Sequence, residues 1–155
     1  MRDLVPSNIG VSTTGYLPLP LPQGMRDIQQ SVVSFAGDSP IGFDYGRYNA
    51  NTLAGRLSVT GTSKRLVTVG STDGTQGMVY VTQDLNRTTG EVGTAVLSIA
   101  GLSSSQVWNV EFWSTGANSV MLDVQWGLSV VSGKLSMVLP SFAQDVMVRF
   151  RTDQL

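Results

Sequence analysis

The stretch NSVMLDVQWGLSVVSGKLSMVL, Asn118 to Leu139, decides the fold. In its first half Val120, Leu122, Val124, Trp126, Leu128 and Val130 recur at every second position, with Asp123, Gln125 and Ser129 between them. A period of two puts the apolar set on one face of an extended chain and the polar set on the other, as in an antiparallel strand packed on one side and wet on the other. Ser132-Gly133 interrupts the pattern, and KLSMVL resumes it with Leu135, Met137 and Leu139 against Lys134 and Ser136. A two-residue break ending in glycine suits a hairpin, because the turns that match strand twist need positive φ. Pro140 lacks a backbone donor and closes the second strand.

Outward from this pair the same period recurs. QDVMVRFRT places Val146, Val148 and Phe150 inward and Asp145, Arg149 and Arg151 outward, which makes the last three segments a predicted meander. QVWNVEFWS sets Trp108, Val110 and Phe112 against Asn109 and Glu111, and VGTAVLSIA is apolar on both sides, as a central strand is. GMVYVTQ, KRLVTVG and AGRLSVTG fill the middle of the chain, with turns at Asp73-Gly74 and Thr89-Gly90; SVVSFAG from Ser31 is the expected first strand. About nine strands without an amphipathic helix predict an all-β, antiparallel β-sandwich, jelly-roll-like ahead of a plain meander.

Composition agrees. The chain has 155 residues, enough for one domain with a buried core, and is 14% charged and 41% hydrophobic with 17 glycines. Cysteine and histidine are both missing, which removes disulfides, thiolate metal sites and every Ser-His-Asp or Cys-His mechanism. A net charge of -1 opposes direct nucleic-acid binding, which needs a concentrated positive field. No apolar run reaches membrane-spanning length.

The first 24 residues read differently. In TGYLPLPLPQGM, Thr14 to Met25, prolines 18, 20 and 22 alternate with leucines. Each proline fixes φ and pushes its predecessor toward extended backbone, so residues 1–24 are expected to form a stiff linker or arm ahead of a sandwich over 25–155. The opening residues resemble mid-chain sequence, and a longer parent chain is expected.

Candidate chemistry is sparse. Asp38 and Asp44 flank Pro40, a spacing that a carboxylate pair for glycoside hydrolysis would need to exploit in space; as turn residues they are more simply solvated. Asp38, Asp44, Asp73 and Asp84 show no Asp-x-Asp-x-Asp spacing, so no metal is expected, and no cofactor motif occurs. GSTDGTQG lacks the Gly-Lys-Ser/Thr of a phosphate loop and reads as a turn. The chain is therefore expected not to be an enzyme.

Binding candidates are Asp38, Asp44, Tyr45, Arg47 and Tyr48 in the long aperiodic loop Gly37 to Asn51, Asp73 in its turn, and Asn86 and Arg87 in a further turn. Trp113, out of phase with Trp108, and Asn118 complete the set. Aromatic faces beside Asp, Asn and Arg suit a sugar or protein ligand; the alternative is packing under the loop or in an interface. Asn86-Arg87-Thr88 also matches a glycosylation sequon. Met121, Val131, Val138 and Met147 fall on faces otherwise polar and are candidates for an interface between copies, trimer ahead of dimer.

WGLSVVSGKLSMVLP, Trp126 to Pro140, resembles a repeat of trimeric viral fibre shafts: a Gly-Leu pair, a glycine-centred turn, then alternating apolar residues. The whole chain is similar in character to protruding or fibre-head domains of non-enveloped virus capsid proteins, with a Pro-rich hinge before a cysteine-free, Ser/Thr/Gly-rich sandwich. That resemblance implies a domain on the virion surface that associates with its copies and presents loops to a host-cell receptor, protein or glycan. A carbohydrate-binding or adhesin module of an extracellular protein is the alternative.

Overall fold

Alternating apolar side chains build two antiparallel sheets that face each other. In the computed structural model, residues 22, 23, 37, 39–49, 51–115 and 119–153 are described. The strand expected from Ser31 and nearly all of the Pro-rich arm lie outside them, as do Asp38 and Asn118.

Among the described residues nine strands form: β1 (Asn51–Thr52), β2 (Leu57–Thr60), β3 (Leu66–Thr72), β4 (Gln76–Gln83), β5 (Ala95–Ala100), β6 (Val107–Ser114), β7 (Met121–Ser129), β8 (Lys134–Leu139) and β9 (Asp145–Thr152). One sheet has the order β1-β3-β4-β9-β6-β7 and the other β2-β5-β8. The chain is thus an all-β antiparallel sandwich, as expected. Most connections cross from sheet to sheet, as in jelly rolls; β3–β4 and β6–β7 stay within one.

The core lies between the layers. Val79 and Val81 of β4, Trp108, Val110 and Phe112 of β6, and Val146, Val148 and Phe150 of β9 meet Leu97 and Ile99 of β5 and Leu135, Met137 and Leu139 of β8. Those of β6, β8 and β9 are the inward residues that the period of two names, while on β4 and β5 the structure assigns the face. At Gly77 the packing is so close that a Cβ would sit 2.2 Å from Phe150 Cζ and 2.6 Å from the Ser71 carbonyl oxygen.

Two expectations fail at the chain's clearest strand. The Ser132-Gly133 turn is a tight hairpin turn, with φ of 51° and 78°, closed by Val131 N–H to Lys134 O at 2.9 Å and the reciprocal bond at 3.1 Å. Beyond it the strands part: β7 pairs only with β6, β8 pairs with β5, and β9 enters between β4 and β6. There is no meander.

Nor does the apolar row of β7 enter the core as one face. Between the pairs Trp108–Leu128 and Val110–Gln125, and again between Phe112–Asp123 and Trp113–Met121, β7 carries one residue more than β6. Each such bulge reverses the phase of side chains beyond it, and Gly127 at φ 71° supplies the backbone the first one needs. Leu128 and Val130 still pack on the core, whereas Trp126 is 59% exposed and Val120 and Leu122 are exposed too.

Gly77→Ala is predicted to lose about 1–3 kcal/mol, the range for an overpacked core. Gly93→Ala, with open space around its Cβ, is predicted to be near neutral. Urea unfolding of both checks this: the midpoint falls for the first alone, with the slope unchanged.

Candidate functional site

On the outer face of the larger sheet, β6 and β9 present Asn109, Glu111, Trp113, Arg149 and Arg151. Sequence alternation assigns this face to solvent. Instead Glu111 and Arg149 are fully buried and Trp113 is 2% exposed. The cover is the loop over residues 39–49, which lays buried Ile41 and Phe43 across the sheet.

Charge holds the cover down. Glu111 Oε2 accepts from Ser39 Oγ at 3.0 Å and from the Ile41 N–H at 3.3 Å, while Oε1 accepts from Trp113 Nε1 at 2.9 Å. Arg149 donates through Nε and Nη2 to the same Oε1, and through Nη1 to the Tyr45 hydroxyl at 3.0 Å. Its guanidinium carbon lies 5.1, 5.7 and 5.8 Å from the ring centres of Trp113, Phe43 and Tyr45. A buried ion pair survives only when such bonds replace its lost hydration.

The far end of the loop is clamped by another buried side chain. Gln76 accepts from the Asp44 N–H at 2.9 Å and donates to the Asp44 carbonyl at 2.8 Å, so its amide acts as a short strand beside the loop. Asp44 then accepts from the Gly46 N–H at 3.0 Å and opens a 3₁₀ turn, Tyr45–Arg47.

Facing that turn is the β3–β4 turn. There Asp73 Oδ1 accepts from Thr75 N, Thr75 Oγ1 and Gln76 N, each at 2.8 Å. Burial works to raise the Asp73 pKa, but these hydrogen bonds outweigh it and hold the carboxyl below its ordinary 3.8. In Tyr45 and Tyr48 burial prevails, opposed by Arg149 and by the Ser71 hydroxyl respectively, and both phenols sit above 10.0. They stay protonated at neutral pH.

Between the two turns lies a cleft of about 150 Å³, lined by Asp44, Arg47, Asp73, Thr75, Gln76 and Arg151. The side chains of Arg47 and Arg151 have no hydrogen-bond or ion-pair partner among the described residues. Gly42, at φ +73°, lets the backbone pass close to Arg151: a Cβ there would be 3.1 Å from Nη1. On the far side of the Asp73 turn a second hollow of about 500 Å³ is lined by Asn51, Arg56, Thr72 and the Gly101–Ser103 segment.

Of the binding candidates, the structure brings Asp44, Arg47 and Asp73 to one cleft. It does not bring Tyr45, Tyr48, Asn86, Arg87 or Trp113 there, and Asp38 and Asn118 lie outside the described residues. Trp113 is corrected from a stacking platform to a buried anchor of Glu111. Tyr45, tilted against Phe43 at 4.8 Å and 38% exposed, and half-buried Tyr48, edge-on at 5.2 Å, each give one part of the ring to packing on Phe43. Asn86 and Arg87 lie in the turn after β4, where Asp84 accepts from the Asn86 N–H and pairs with Arg87. That is a strand's length from the cleft, roughly 25 Å for eight residues. Ser114, opposite Val146, is toward that distant end as well.

The interface candidates also divide. Met121 and Met147 flank Trp113 on the larger sheet, Met147 half-buried, while Val138 faces outward from the smaller sheet and Val131 stands at the turn between β7 and β8. Thr75, Gln76 and Arg151 are cleft residues that sequence reading missed. The one available sign was that two outward arginines, 149 and 151, alternate with Val148 and Phe150 on one strand.

The fold and cleft define an antiparallel β-sandwich with a polar site at one end. No protein-family model and no curated protein matches the chain. Among solved structures it is similar to part of a glycoside hydrolase family 44 endoglucanase produced by Clostridium acetobutylium ATCC 824, at a TM-score of 0.38 and 15% identity. The match spans 58% of this chain and 17% of that one, and a likeness of this size carries no argument about function.

Glu111→Ala leaves Arg149 buried without its counter-charge and is predicted to cost about 3–5 kcal/mol. Replacing both, Glu111→Leu with Arg149→Met, is predicted to regain most of that loss. Chemical denaturation of the two variants measures this, and limited proteolysis between residues 39 and 49 reports release of the loop in the first.

Proposed function

We propose that this chain is a non-enzymatic attachment domain on the surface of a virus capsid, which meets its host-cell receptor at the cleft between Asp44 and Asp73. The observation that carries this reading is a preformed polar site with two guanidiniums that have no partner among the described residues, on a scaffold seated by the buried Glu111–Arg149 pair. Ordering costs are met in advance, since Gln76 and the Glu111–Arg149 pair fix the turns without a ligand. A carboxyl held ionised, as Asp73 is, suits hydrogen bonding to a ligand better than proton transfer. One cleft of this size binds weakly, and many copies on a particle convert weak contacts into firm attachment. The LPLPLP segment suits a semi-rigid spacer beneath such a domain.

A carbohydrate-binding or adhesin module of an extracellular protein would use the same cleft. That alternative is weakened by the burial of Trp113, its best stacking surface.

Copies of the domain are proposed to associate at the edge where β7 meets β8. Val120, Leu122, Trp126, Val131 and Val138 are all exposed on these strands and their turn, and the Gln125 side chain already bridges to the Val138 carbonyl at 2.7 Å. Exposed apolar side chains gathered on neighbouring strands mark an interface, trimer ahead of dimer.

Two measurements test these assignments. Displayed multivalently, the domain is expected to bind host cells and to lose that binding with Arg47→Ala and Arg151→Ala together; undiminished binding overturns the cleft. Light scattering over a concentration series is expected to show an oligomer that dissociates with Trp126→Ser and Val138→Ser. A monomer at every concentration overturns the interface.

A further inference from the structure

Resting on that reading of the cleft, we propose that its ligand is a saccharide bearing a carboxylate. Arg47 and Arg151 each offer a planar fork of donors without a partner among the described residues, and such a fork matches a carboxylate with two parallel bonds. Opposite them stand acceptors. Among the described residues Asp73 accepts through Oδ1 from Thr75 and the Gln76 N–H, with the Gln76 side chain also beside its carboxyl, and Asp44 accepts through Oδ1 from Gly46, so both carboxylates keep acceptor capacity for donors of a ligand.

Charge narrows the class. Two arginines and two aspartates leave the cleft formally neutral. A phosphate monoester or a free sulfate brings close to two charges against two fixed carboxylates. A monoanion placed at the guanidiniums, followed by neutral hydroxyls that donate to Asp44 and Asp73, meets both halves of the site with the right sign. Carboxylate and hydroxyls on one compact frame are the chemistry of an acidic sugar.

Size agrees with a terminal residue. About 150 Å³ is the volume of roughly five water molecules, enough for a carboxylate and the hydroxyls beside it, and not for a buried chain. An acidic peptide supplies the carboxylate but offers the two aspartates only backbone N–H groups along a chain, in place of hydroxyls on the same compact frame.

The test is an NMR titration of the full chain with sialyllactose, glucuronic acid, lactose, inorganic phosphate and acetyl-aspartate amide, each to roughly 10 mM to reach the weak affinity a few charged hydrogen bonds supply. An acidic sugar is expected to shift the amides of Gly46, Gly74 and Thr75, while lactose, phosphate and the aspartate derivative leave them in place. Arg47→Ala is expected to weaken the response about tenfold to a hundredfold, with Arg47→Lys between the two. Arg47 is exposed, so this variant keeps the fold. Equal shifts with lactose, tighter binding of phosphate or the aspartate derivative, or no response to either acidic sugar overturns the ligand class. Those outcomes leave the cleft as attachment site standing; that reading falls only to cell binding that survives loss of both arginines.

Discussion

The buried pair of Glu111 and Arg149 is the constraint from which the outer half of this structure follows. Its attraction alone does not stabilise the domain, because desolvating two charges costs about as much as their meeting returns. What it does is select one arrangement. Glu111 has room for its partners only when Ser39 and Ile41 are in place, and Arg149 only when Tyr45 is. A loop with no periodicity is thereby given a single seat. Every other property of the site depends on that seating: the approach of Gln76 to Asp44, the 3₁₀ turn that carries Arg47, and the passage of Gly42 beside Arg151.

The two arginines of β9 show how a strand divides such work. Arg149 and Arg151 point to the same face one stride apart, yet one is sealed beneath aromatic rings and the other reaches a cleft. Covering the first frees the second, since the only buried glutamate is already engaged. The opposite edge of the same sheet is unlike it in every respect, apolar and bulged where the cleft is polar and regular. The exposed apolar side chains and the polar cleft are thereby kept on separate parts of the molecule.

Much of this was legible beforehand. The period of two names the inward residues of β6, β8 and β9, and the class of fold follows. What it did not carry was the pairing of strands, because alternation says which side of a strand is buried and nothing about its neighbour. β8 and β9 were therefore read as one meander with β7 when they belong to different sheets. The bulges in β7 had a visible sign in Gly127, a residue without a packing role amid a strand pattern. Trp113 likewise signalled that the polar face of β6 was covered: an indole out of phase, two residues from a glutamate, needs both a lid and a partner. The pairing of Glu111 with Arg149 was not legible, since 38 residues separate them and only the register of β6 with β9 makes them opposite.

The place of β9 has a consequence for how the molecule comes into being. The last described strand lies in the interior of the six-stranded sheet, between β4 and β6. Until residues 145–152 have left the ribosome, β1-β3-β4 and β6-β7 are two unjoined sheets with open edges, and neither Arg149 nor the cleft exists. Formation of the sheet is thus deferred to the end of this segment's synthesis, with contacts between residues far apart in sequence, a topology that folds slowly. The nascent chain waits with unpaired strands exposed, so crowded copies are most at risk of joining wrongly before the sheet closes and not afterwards.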